Sequence, residues 1–198
     1  LYTDNGFWDT FRAVYPLFSI TEEKRLKEIL AGLLNVYDEG GWFPKWMSPG
    51  YRDCMFGTHV GAVFLDAGKK GIVDLSSEKL FRAVVQDATT ASHFGGYGRK
   101  GLKAYDTLGW VPCEEVHEAT ARTLEFAYGD WCAAQIAKAR NKPELVKLLE
   151  KRAQNYRKVF DKQNGFMRGR HRDGTWRKNF DPTEWGGPFT EGSSWHYS

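Results

Sequence analysis

The chain has 198 residues, 41% of them hydrophobic and 27% charged, a balance that supports one domain with a real core. Its net charge of +3 is mild, and no basic stripe carries interleaved aromatics, which argues against a nucleic-acid partner. No window of about 18 apolar residues exists, so no membrane span is expected.

Helical periodicity is plain in several segments. The first predicted helix runs from Glu22 to about Tyr37, with Leu26, Ile29, Leu30, Leu33 and Leu34 on one face. Ser19 with Glu22 reads as a capping box at its start, and Gly40-Gly41 ends it. The second spans about Gly57 to Lys69 and is closed by Gly71. The third starts after Ser76 or Ser77 and carries Leu80, Phe81, Val84 and Val85. A long fourth follows Pro112, from about Glu114 to Ala139. The fifth begins at Asn141, with Pro143 in its first turn, and reaches Phe160.

Between these helices lie Gly- and aromatic-rich loops at 40–54, 94–112 and 165–195. Loops this long inside a compact domain are usually functional. No alternating strand run of five or more residues is present, so the fold class is all-α, an array of helical hairpins with long loops.

The aromatic share is 15%, with eight Trp. Flat apolar faces with one N–H donor serve both cores and sugar-binding walls. The three cysteines, 54, 113 and 132, form neither a disulfide framework nor a CxxC metal pattern. Asp9 and Arg12 stand three apart, so on a helical turn both face one way. A carboxylate and a guanidinium so placed make a fork for vicinal hydroxyls, or a local ion pair.

The loop Gly41-Trp42-Phe43-Pro44-Lys45-Trp46 reads equally as a sugar-site wall or a plug for a helix bundle. His59 has no second His at metal spacing and reads as a structural histidine. Glu118, Arg122 and Glu125 share a helix face and read as a polar network. Asp181 before Pro182 reads as an Asx turn, and the run from Arg168 to Arg172 as a solvated basic loop. Glu191 precedes Gly192-Ser193-Ser194 and then Trp195-His196-Tyr197. A carboxyl flanked by aromatics is partly desolvated, which favours the protonated form that a general acid needs. A capping or network role is the bland reading of the same residue.

Several motifs then converge. Trp8-Asp9-Thr10-Phe11-Arg12 with Pro16-Leu17 resembles WDTFRxxxPL. Pro44-Lys45-Trp46, Cys54-Met55 and Gly57-Thr58-His59 resemble a PKW…CMxGxH block. Arg122 to Tyr128 with Asp130-Trp131 is similar to SRTLEYAYDDW, and Phe189 to Tyr197 to FTEGNAWQY. In this order, across nearly the whole chain, they resemble glycoside hydrolase family 92, calcium-dependent exo-α-mannosidases.

That resemblance implies an (α/α)6 toroid, of which residues 1–198 are the N-terminal half. An N-terminal β-sandwich and the rest of the toroid are expected in the remainder of the polypeptide. It implies hydrolysis of terminal α-linked mannose from glycans with inversion, Glu191 as general acid, and Ca2+ engaging the sugar, with ligands not identifiable here. Trp8, Asp9, Arg12, Trp195 and His196 fall where substrate contacts are expected. The general base, an Asp, is expected outside this chain, so the chain by itself is expected to be inactive. The resemblance also implies a secreted or periplasmic enzyme. Ser193 and His196 depart from the family's Asn and Gln, which puts linkage specificity in doubt. The alternatives are a toroid glycosidase for another sugar or linkage and a non-catalytic carbohydrate-binding toroid.

Overall fold

The computed structural model describes residues 5–198. Nine α-helices lie among the described residues: α1 (Phe7–Thr10), α2 (Val14–Thr21), α3 (Glu23–Gly40), α4 (Val60–Lys69), α5 (Glu78–Thr89), α6 (Leu102–Leu108), α7 (Ala119–Ala139), α8 (Pro143–Arg152) and α9 (Ser194–Tyr197). The strands among the described residues are two antiparallel pairs of two residues each: β1 (Asn5–Gly6) with β2 (Trp46–Met47), and β3 (Phe160–Asp161) with β4 (Phe166–Met167). The all-α class with long loops is therefore what the sequence folds into.

The periodic faces are buried as their spacing requires. Leu26, Leu30 and Leu33 of α3 join Val60, Val63 and Phe64 of α4 and Leu80, Ala83 and Val84 of α5 in one core. The long helix α7 packs against α4, α5 and α8 and is buried around most of its circumference. Its many alanines allow that close approach without large side chains to clash. Ser77 caps α5, its hydroxyl accepting from the backbone N–H of Leu80 at 3.4 Å. Gly41, at φ +79°, closes α3 in the left-handed conformation.

A buried ionic hub fixes α7 to its neighbours. Asp130, fully buried, accepts from Arg99 at 2.6 Å, from Arg152 at 2.9 Å and from the Tyr105 hydroxyl at 2.9 Å. The second guanidinium also reaches Asp106 at 2.9 Å and donates to the carbonyl of Ala88.

Four sequence expectations need correction. The capping box at Ser19 and Glu22 does not form. Ser19 lies inside α2, where its hydroxyl donates to the Pro16 carbonyl, and Glu22 interrupts the backbone between α2 and α3. The fourth helix starts at Ala119, because Glu118 sits at φ +59° and ends the turns before it. The fifth stops at Arg152 and continues as a 3-10 turn over Asn155–Val159. Finally, the loop at 94–112 contains α6, bounded on both sides by left-handed glycines, Gly101 and Gly109.

Candidate active site

One cleft gathers residues from both ends of the sequence. It holds about 590 Å³ and is lined by α1 and its exit (Trp8, Phe11, Arg12), by α7 (Leu124, Glu125, Tyr128) and by the final loop and α9 (Thr190, Glu191, His196, Tyr197).

Arg12 follows α1 and is half-exposed. Its Nε donates to the Trp8 carbonyl at 3.0 Å, and its guanidinium lies over the rings of Trp8 and Phe11 at 5.0 and 4.6 Å. Its Nη2 then reaches Glu125 Oε1 at 3.2 Å. The other Glu125 oxygen meets Nε2 of the buried His59 at 2.6 Å. Phe11 stacks on the His59 ring with centroids 4.1 Å apart, and Gly57, at φ +90°, leaves the room that ring occupies. Burial of Glu125 works to raise its pKa, but the His59 hydrogen bond and the Arg12 charge outweigh it and hold the carboxyl below its usual range. Both Glu125 oxygens are thus committed to cations or donors of the protein itself.

Glu191 reaches the cleft on a strained backbone, at φ +44°. Its neighbours hold that conformation. Thr190 is buried and its carbonyl accepts from the Tyr197 hydroxyl at 2.7 Å. The N–H of Gly186 donates to the Gly192 carbonyl at 2.8 Å. Ser193 caps α9 reciprocally with His196, whose Nδ1 accepts from the Ser193 N–H at 3.0 Å. Tyr197 packs on Phe189, and burial, with the nearby Glu125 charge adding to it, pushes its hydroxyl up to about 12. The expected partial desolvation of Glu191 is not seen: the residue is exposed, with Trp195 turned toward Phe166 and outside the cleft lining.

Of the residues singled out from sequence, Trp8, Arg12, Glu191 and His196 meet in this cleft. Asp9 is exposed and outside its lining, so the Asp9–Arg12 fork does not form; α1 ends at Thr10 and Arg12 turns toward Glu125 instead. Trp195 is 65% exposed and also outside the lining, with its ring near Phe166 at 5.8 Å. Glu125 is the residue that sequence reasoning misplaced. Glu118 and Arg122 do pair, at 3.0 Å, but Glu125 turns away to Arg12 and His59. No local signal points there, since Arg12 and Glu125 are separated by 113 positions.

The other motifs serve the scaffold. Phe43 is buried against Phe64 and Trp42 stacks on Tyr97, so the loop around Pro44 packs on the core and stands apart from the cleft lining. The Arg168–Arg172 run is not a solvated loop. Arg168 pairs with Asp161 at 2.7 Å and lies over Phe180, while Arg170 lies over Trp110 at 4.3 Å. Asp181 forms the expected Asx turn, accepting from the Thr183 N–H at 2.8 Å.

The family model for the glycosyl hydrolase family 92 catalytic domain matches residues 1–198. The chain belongs to glycosyl hydrolase family 92. A family GH92 inverting mannosidase from Bacteroides thetaiotaomicron VPI-5482 superimposes with a TM-score of 0.93 at 46% identity, covering 100% of this chain and 27% of that one. A family GH92 α-mannosidase from Bacteroides thetaiotaomicron, solved in complex with mannoimidazole, superimposes with a TM-score of 0.88 at 30% identity, covering 99% of this chain and 26% of that one. This family 92 chain thus spans about a quarter of the length of the structures it matches. A search of curated proteins finds no match.

Calcium was expected from the resemblance. It takes six to eight hard oxygen ligands. Among the described residues, the one group of three or more His, Cys, Asp or Glu donors close enough to share an ion is Cys113, Glu114 and His171. A thiol and an imidazole do not suit calcium. In the cleft, the Glu125 oxygens are already engaged. Among the described residues, therefore, no cluster of three or more carboxylates stands ready to hold calcium.

Proposed function

We propose that this chain contributes the acid side of the active site of an inverting exo-α-mannosidase, within a protein whose catalytic domain is an (α/α)6 toroid. The observation that carries the reading is the convergence of Glu191 with Trp8, Arg12 and His196 on one open cleft. Its lining combines an indole wall, a guanidinium held in place and an exposed carboxyl, the mixture by which proteins grip a sugar ring and attack its exocyclic bond.

In this reading the terminal mannose lies over Trp8, with Arg12 donating to its hydroxyls. Glu191 gives a proton to the glycosidic oxygen as the C–O bond breaks. A second carboxylate takes a proton from water as that water attacks the opposite face of the sugar. Glu125 does not fit that second role, because Arg12 and His59 occupy both its oxygens. It instead positions Arg12. The resemblance to the family places the base in an acidic residue outside these 198, and on this reading the chain by itself is inactive. Calcium remains an expectation of the family resemblance, and no step is assigned to it. The natural substrate is a mannose-containing glycan met outside the cytoplasm.

The stereochemistry tests the reading. In the full-length protein, proton NMR during early hydrolysis of an aryl α-mannoside should show β-mannose first, with the α anomer growing only by mutarotation. Release of α-mannose at the outset contradicts inversion. No mannose release, together with retained binding of the sugar, favours the non-catalytic carbohydrate-binding alternative.

A further inference from the structure

Away from the cleft, Cys113, Glu114 and His171 bring their donor atoms within 4.8 Å of one another. The spacing in sequence gave no sign of it, since His171 lies 58 residues after Cys113. Here the fold makes the cluster, and backbone hydrogen bonds fix it. The Cys113 N–H donates to the Arg170 carbonyl at 3.0 Å, which sets residue 113 beside residue 171. His171 sits on a tight hairpin, closed by its own N–H to the Thr175 carbonyl at 2.8 Å and by the bridge between Arg170 and Trp176. The Arg172 N–H donates to Glu114 Oε1 at 2.8 Å, which aims the other carboxylate oxygen at His171 Nδ1, 3.1 Å away. Cys113 Sγ lies 3.7 Å from the same nitrogen.

We propose that Cys113, Glu114 and His171 form a binding site for a zinc-class divalent cation, distinct from the mannose cleft. Four ligands placed tetrahedrally at zinc distances stand about 3.3–3.8 Å apart. Of the two separations at His171 Nδ1, 3.7 Å to the thiol falls within that range and 3.1 Å to the carboxylate lies just below it, so small side-chain adjustments admit the ion. Thiolate, imidazole and carboxylate form a donor set that zinc accepts and calcium does not. Three protein ligands leave a fourth position for water or a further ligand, and two of them, Glu114 and His171, line an open cleft of about 700 Å³. The Arg172 guanidinium is paired with Glu115 at 2.8 Å.

Cobalt(II) is the probe, because a thiolate ligand gives a charge-transfer band in the near ultraviolet that oxygen-only sites lack. The full-length protein, freed of metal and titrated with Co2+, should develop this band at one equivalent and lose it on adding Zn2+. Cys113→Ser and His171→Ala should abolish it, and Cys54→Ser should leave it intact. Absence of the band in the parent protein, or its survival in Cys113→Ser, overturns the site. If the variants fail to fold by circular dichroism, alkylation of the parent protein decides. Zn2+ should slow iodoacetamide labelling at Cys113, mapped by mass spectrometry, by tenfold or more; equal labelling with and without Zn2+ overturns the proposal.

Discussion

Glu125 shows how one carboxylate organises the cleft. It is nearly buried, yet two donors, His59 and Arg12, keep it charged. Its folded pKa is depressed, so the stability it contributes is fully present above the ordinary carboxylate value and is lost as pH falls through the folded one. Glu125→Gln leaves one donor unmatched, and removing one side of such a bond costs about 1–3 kcal/mol. Chemical denaturation of the full-length protein should show that loss at neutral pH and a shrinking gap from the parent in acid. The same variant should raise KM for mannosides more than it lowers kcat, because it frees Arg12 while leaving Glu191 in place. At this scale the sequence was partly legible. Trp8, Arg12, Glu191 and His196 stood in recognisable motifs. Glu125 did not, because its partners come from the segment just after α1 and from the turn before α4, and helix periodicity reports only neighbours on the same helix.

Among the elements, α7 carries the greatest burden. It supplies Glu125 to the cleft from one face and Asp130 to the ionic hub from another. With Arg99 and Arg152 both directed at it, Asp130→Asn strands buried cationic charge, a change that costs about 3–5 kcal/mol. A marked fall in Tm, with far less effect from the exposed Lys138→Ala, is the expected outcome of thermal unfolding; equal effects would show that the hub is not a structural tie. The long amphipathic helices were readable from their 3.6-residue period. What escaped was set by backbone conformation. Glu118 at φ +59° cuts five residues from the expected start of α7, and left-handed glycines fence α6 inside an apparent loop. A side-chain pattern does not encode either feature.

Across the whole molecule, buried charge sets the dependence of stability on pH. Asp87 is fully buried, and burial pushes its carboxyl up to about 8, against opposing pulls from Arg99 and Lys45. Because that folded value is raised, its stabilising contribution is complete below the ordinary value of 3.8 and is lost as pH rises through about 8. Asp87→Asn, which mimics the protonated form, should flatten the decline in Tm between about pH 4 and 8. An unchanged slope would place the titrating group elsewhere. At this scale the all-α class and the ordered family motifs were legible, whereas the second donor cluster at Cys113 was not, since it exists only once two loops meet.

The central claim is that Glu191 protonates the departing oxygen in the cleft that Arg12 and Trp8 help to build. Glu191→Gln in the full-length protein tests it most directly, with turnover compared across aryl α-mannosides of graded leaving-group acidity. The account predicts a loss of at least 100-fold, on the order expected for general acid catalysis, on poor leaving groups and a much smaller loss on activated ones that depart without a proton. An equal loss on both would contradict it and remove Glu191 from the acid role.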